Sequence, residues 1–188
     1  MMKKVEVPLT PEERWKQRMS LAVIMGYILI GVVVAFVTPE NILRHRWAQV
    51  FVEFVGGIVP SVAEIMPASP IHDVAQFYAA VMWALAPFVT GTFFFLLKNY
   101  RVSVYVQQFR ERKVYSLFAC LVLAPALIYF LYRVGNISTY SGRAMLSSRV
   151  GLAFMYSMAL AGVPWFCVLM LLWIRKIPEV YFGKKLDR

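Results

Sequence analysis

Four uncharged, apolar stretches divide this chain, and they limit the fold more than anything else in it: residues 19–37, 74–97, 114–132 and 150–174. A helix rises 1.5 Å per residue, so about 20 apolar residues carry it across a bilayer core of about 30 Å with every backbone group paired internally. Transmembrane strands are about ten residues long and alternate apolar with polar positions; these stretches are longer and do not alternate. Hydrophobic residues make up 60% of the 188 and charged residues 16%, with mean hydropathy +0.62. A soluble domain, at about 45–50% apolar, cannot hide that much apolar surface. The expected fold is an all-α integral membrane protein of four transmembrane helices forming one domain over residues 1–188. A disordered tail, a nucleic-acid-binding arm and a disulfide scaffold are excluded.

The distribution of the 20 Lys and Arg residues sets the expected orientation, because cytoplasmic flanks keep positive charge. The N-terminal segment holds Lys3, Lys4, Arg14, Lys16 and Arg18. The link between the second and third stretches holds Lys98, Arg101, Arg110, Arg112 and Lys113, and the C-terminal tail Arg175, Lys176, Lys184, Lys185 and Arg188. The two other links hold only Arg44, Arg46, Arg133, Arg143 and Arg149. Both termini are therefore predicted to be cytoplasmic, in a bacterial inner membrane. The first stretch follows basic residues as a signal peptide does. Its apolar run is longer than a signal's, and no small-residue cleavage site follows Val37, so it reads as a retained span.

Thr10-Pro11-Glu12-Glu13 carries the signature of a helix start, with Thr10 as N-cap, Pro11 at the first helical position and Glu13 closing a capping box. A lead-in helix running straight into the first span is expected, with Trp15 and Lys16 at headgroup level. Thr38-Pro39-Glu40 reads as a second helix start. Residues 48–59 are apolar but too short to cross, and Gln49 and Glu53 lie four apart on one helical face, so an interfacial or re-entrant helix is predicted in this outward link. Gly56-Gly57 and Pro60 end or bend it, and Pro67 and Pro70 break the segment beyond. The second outward link, residues 134–149, is short and polar; its Asn136-Ile137-Ser138 triplet is read as fortuitous.

The spans contain none of the intramembrane charges that mark ion paths or proton relays. Pro87, Pro125 and Pro164 read as kinks. His45 and His72 lack metal-ligand spacing, Cys120 and Cys167 lie within spans as small hydrophobes, and Ser147-Ser148 has no base in its link, so no enzyme activity, metal or cofactor is expected. The basic run at residues 107–113, QQFRERK, suits anionic phospholipid headgroups rather than nucleic acid. Span four offers Gly151, Ser157, Ala159, Ala161 and Gly162, and span two Ala79, Ala80, Thr90, Gly91 and Thr92. These small residues pack either this bundle or a partner helix.

Thr38-Pro39-Glu40 with Leu43-Arg44, Val59-Pro60-Ser61, Ala86-Pro87-Phe88, and Ser138-Thr139 with Ser141-Gly142-Arg143 resemble, in that order along the chain, features of the immunity proteins to pore-forming colicins of the colicin A type. The resemblance covers the outward links and span ends, about half of the chain. It implies four spans with both ends inside and a binding module without turnover, which waits in the inner membrane and blocks the pore-forming domain of a bacteriocin before its channel opens. Arg44, Arg46, Arg143 and Arg149 break the positive-inside bias and are the candidate partner contacts, since an outward cation wants a phosphate or a partner carboxylate. Arg133, at the end of span three, is set aside as a residue that snorkels to headgroups. The alternative is a non-catalytic subunit of a conjugation, secretion or other membrane assembly. A transporter would need a polar path that the spans do not show.

Overall fold

The computed structural model describes residues 10–63, 65, 69–97, 121–122, 125–126, 128–129 and 145–181. Its elements are α1 (Pro11–Val37), a short 3-10 turn (Ile42–Arg44), α2 (Arg46–Ile58), α3 (Pro60–Ala63), α4 (His72–Leu97), a π-helical segment (Gly151–Tyr156) and α5 (Ser157–Tyr181). The described residues are helical with no strand among them, and α1, α4 and the helix over Gly151–Leu172 are each long and apolar enough to cross a membrane. Most of the predicted third span, the basic link before it, and residues 134–144 with Arg133 and Arg143 lie outside the described residues.

The start of α1 follows from its sequence. Glu13 N–H donates to Thr10 Oγ1 at 3.2 Å while Thr10 N–H donates to Glu13 Oε2 at 2.9 Å, a closed capping box. The helix then runs without interruption through the lead-in into the apolar stretch, 27 residues and about 40 Å long. Its other end departs from expectation. Thr38-Pro39-Glu40 starts no helix: the Thr38 hydroxyl donates back to the Val34 carbonyl at 2.6 Å and closes α1. Pro39 clashes with a helical conformation at Thr38, which is extended instead, so α1 stops there, and the Thr38 hydroxyl is used as a donor to the helix behind it. The next long helix is α2, beginning at Arg46 and ending just past Gly56-Gly57, with Pro60 at the first position of α3.

α1 and α4 pack side by side, α5 packs along α4, and the π segment packs against α1. Small residues let them approach. Ala79, Ala80, Gly151, Ser157 and Ala161 are all buried between helices, so the bundle itself uses them. Leu21, Met25, Leu29 and Val33, one turn apart along α1, are exposed instead, as are Phe88 and Phe95 on α4 and Met158 on α5. Large apolar side chains left exposed along helices that meet at small ones is packing that suits a lipid-facing bundle, because acyl chains solvate leucine as well as a protein core does. Pro87 lies within α4, flanked by Thr90 Oγ1 donating to the Ala86 carbonyl at 2.8 Å and Thr92 Oγ1 to the Phe88 carbonyl at 2.9 Å.

Candidate functional site at the α1–α4 end

The end of the bundle where α1 stops and α4 begins carries the polar chemistry. α2 lies across it on α4, its Trp47 and Phe51 rings edge-on to Phe77 with centroids 5.7 and 5.9 Å apart. At 100° per residue α2 divides into three faces. Ala48, Val52 and Val55 are buried against the bundle; Trp47, Val50, Phe54 and Ile58 form an exposed apolar stripe; Arg46, Gln49 and Glu53 form a polar edge. A helix with one apolar sector packed, one exposed and one polar edge suits a membrane interface. A half-open cavity of about 590 Å³ lies beside the polar edge, lined by Leu43, Gln49, Val52, Glu53, Gly56, Gly57, Ala63 and Gln76.

Arg149 is the most constrained cation here. Its Nη1 lies 3.0 Å from the Ala35 carbonyl, 3.1 Å from that of Phe36 and 2.9 Å from that of Thr38, and its Nη2 lies 3.9 Å from Glu40 Oε1. The last carbonyls of a helix have no intrahelical partner and carry its negative pole, so a guanidinium there satisfies both. Arg149 is thus engaged within this chain. Arg44 and Arg46 are exposed, and among the described residues neither has a carboxylate within 4.0 Å. They flank His45, the N-cap of α2, which makes no side-chain capping bond, and the first turn of α2 holds no acid. Two guanidiniums therefore stand at the positive pole of a helix, where the dipole disfavours them and an anion would be welcome.

Residues remote in sequence close this end. The Ser69 hydroxyl donates to the Leu146 carbonyl at 2.7 Å, tying the turn before α4 to the chain before the π segment. Ser148 Oγ accepts from Gly151 N–H at 3.0 Å, an N-terminal cap, which is the use this structure finds for one of the paired serines. His45 is exposed and His72 begins α4. Among the described residues no three His, Cys, Asp or Glu side chains converge.

Six to ten residues inward, about 9–15 Å by helix rise, lies a buried hydroxyl cluster that the sequence reading missed. Tyr78 OH and Ser157 Oγ share a hydrogen bond of 2.5 Å, Ser157 Oγ also reaches the Leu152 carbonyl at 3.3 Å, and Tyr27 OH donates to the Met82 carbonyl at 2.8 Å. Tyr156 OH and Trp83 Nε1 are buried nearby without a hydrogen-bond partner among the described residues. Tyr27 in mid-span was the available signal, since tyrosines of membrane helices gather at the interfaces.

Comparison with known proteins finds no matching family model, no similar curated protein and no similar solved structure. The reading of this end of the bundle therefore rests on its own chemistry.

Proposed function

We propose that this chain is a non-catalytic inner-membrane protein that binds another membrane protein at the α1–α4 end, as an immunity protein binds the pore-forming domain of a bacteriocin. In this reading that end faces outward and both termini are cytoplasmic. The observation that carries it is the exposed pair Arg44 and Arg46, unpaired among the described residues and set at the uncapped positive end of α2. Such a pair favours a carboxylate on a docking partner, and a guanidinium binds a carboxylate through two parallel hydrogen bonds. Arg143 remains a candidate on sequence grounds. Arg149 takes the role of fixing the platform on which the pair stands.

The test is protection. Sensitive bacteria expressing the chain are challenged with the pore-forming toxin encoded beside its gene, and the parent protects. Each lost charge-assisted bond is worth about 1.5–3 kcal/mol, so Arg44→Gln or Arg46→Gln lowers the tolerated dose about tenfold or more, and reversal to Glu lowers it further by placing like charges together. Glu variants that insert at normal levels and protect as well as the parent would sink the contact assignment. A parent that gives no protection would move the chain to the assembly-subunit reading, which co-purification with the products of neighbouring genes then examines.

A further inference from the structure

We propose that the cavity between α2, α3 and α4 receives the cationic end of a basic side chain, a guanidinium or an ammonium, from the partner that docks at this end of the bundle. That the cation arrives on a protein partner rests on the function proposed above; the chemistry of the site does not.

Three polar side chains, Gln49, Glu53 and Gln76, stand in an otherwise apolar lining, and Glu53 is its one charged group. Glu53 contributes a carboxylate, which only accepts hydrogen bonds, and among the described residues no Lys, Arg or His nitrogen lies within 4.0 Å of it. Gln76 donates its Nε2–H to the Val62 carbonyl at 3.4 Å, so part of its donor capacity is committed and its Oε1 is left to accept. Gln49, one turn before Glu53 on the same helix, adds a third side-chain oxygen. A guanidinium has five N–H donors and an ammonium three, with no acceptor on either, and both match such a wall in charge and in donor count. Glu53 repels an anion and attracts a cation.

Size and surroundings agree. About 590 Å³ is within the range of ligand-holding clefts, and Gly56, Gly57 and Ala63 keep one side shallow. Arg46 is on the same helix edge, but two turns from Glu53, about 10.5 Å along the axis, which exceeds the Debye length of about 8 Å at physiological salt. Its charge therefore does not cancel that of Glu53. The two poles instead suit a partner carrying an acid and a base at matching separation.

The experiment uses the full chain in phosphatidylcholine nanodiscs, with saturation-transfer NMR of N-acetylarginine amide against its neutral isostere N-acetylcitrulline amide. The arginine probe is expected to bind at least tenfold more tightly than the citrulline probe. Glu53→Gln should weaken it about tenfold, as the loss of one charge-assisted contact implies. Gly57→Trp, at a lining residue where an added Cβ meets nothing within 4 Å, should weaken binding by crowding the cavity. Arg18→Gln, on α1 and 19 residues before its end at the site, should leave binding unchanged. Equal binding of the two probes, or full retention by either cavity variant at unchanged thermal stability, overturns the proposal. If the arginine probe binds as expected while the chain protects no cells, the cavity chemistry stands and the partner reading falls.

Discussion

Gly31 stands where α1 crosses the Tyr78–Ser157 hydrogen bond: a Cβ at Gly31 would lie 2.5 Å from Ser157 Oγ and 2.8 Å from Tyr78 OH. Three helices thus meet at one missing side chain. Gly31→Ala should cost about 1–3 kcal/mol, the usual range for overpacking a core, and lower the thermal midpoint of the purified protein. Ser157→Ala removes the nearer clashing atom, so the double variant should recover part of that loss. Additive losses in the double-mutant cycle would show that the two sites do not touch.

Arg44, Arg46 and Arg149 should separate by role when stability is measured. Arg149→Gln removes the guanidinium from the end of α1 and should cost about 1–2 kcal/mol, with faster amide exchange in the last turn of that helix. Arg44→Gln and Arg46→Gln touch no described partner and should change stability by no more than about 0.5 kcal/mol. A loss at Arg44 or Arg46 as large as that at Arg149 would mean that those side chains hold the fold and not a partner.

Spin labels on α2 should read its three faces directly. A label at position 54 should be relaxed more by oxygen, which concentrates in lipid, and a label at position 53 more by a water-soluble nickel chelate. This pattern follows from Phe54 being 67% exposed on an apolar stripe while Glu53 lies on the polar edge of α2 beside the cavity. The same preference at both positions would place the whole helix in one phase.

Cysteine accessibility tests the orientation. In a background without Cys120 and Cys167, Glu53→Cys should react with an impermeant maleimide from outside the inner membrane, and Trp15→Cys only after that membrane is opened. The reverse order would invert the assignment drawn from the lysine and arginine distribution.

Local signals in the sequence were enough for much of this architecture. The Thr10–Glu13 capping box, the apolar lengths of α1 and α4, and the glycine pair that ends α2 all act within a few residues, where spacing alone decides the outcome. Thr38-Pro39-Glu40 misled because a threonine before proline satisfies its hydroxyl in either direction, and the Val34 carbonyl, one turn back, accepts it alongside the Thr38 N–H. Arg149 reads as an unpaired outward cation only while its acceptors, 111 to 114 residues earlier, are out of sight. The cavity was legible in part: Gln49 and Glu53 share a helical face by periodicity, whereas Gln76 joins them only through the docking of α2 on α4. The Tyr27, Tyr78 and Ser157 hydroxyls were hidden for the same reason, since each is satisfied across helices.

The clasp of Arg149 on Ala35, Phe36 and Thr38 also orders events in time. A ribosome delivers α1 first, and the carbonyls at its far end then have only water or lipid headgroups to bind. The side chain that satisfies them is made more than a hundred residues later, at the threshold of the last described helix. The end of α1 is therefore finished more than a hundred residues after the helix itself is made. A chain interrupted before residue 149 would carry an open seam at the very end of the bundle where a partner is proposed to dock.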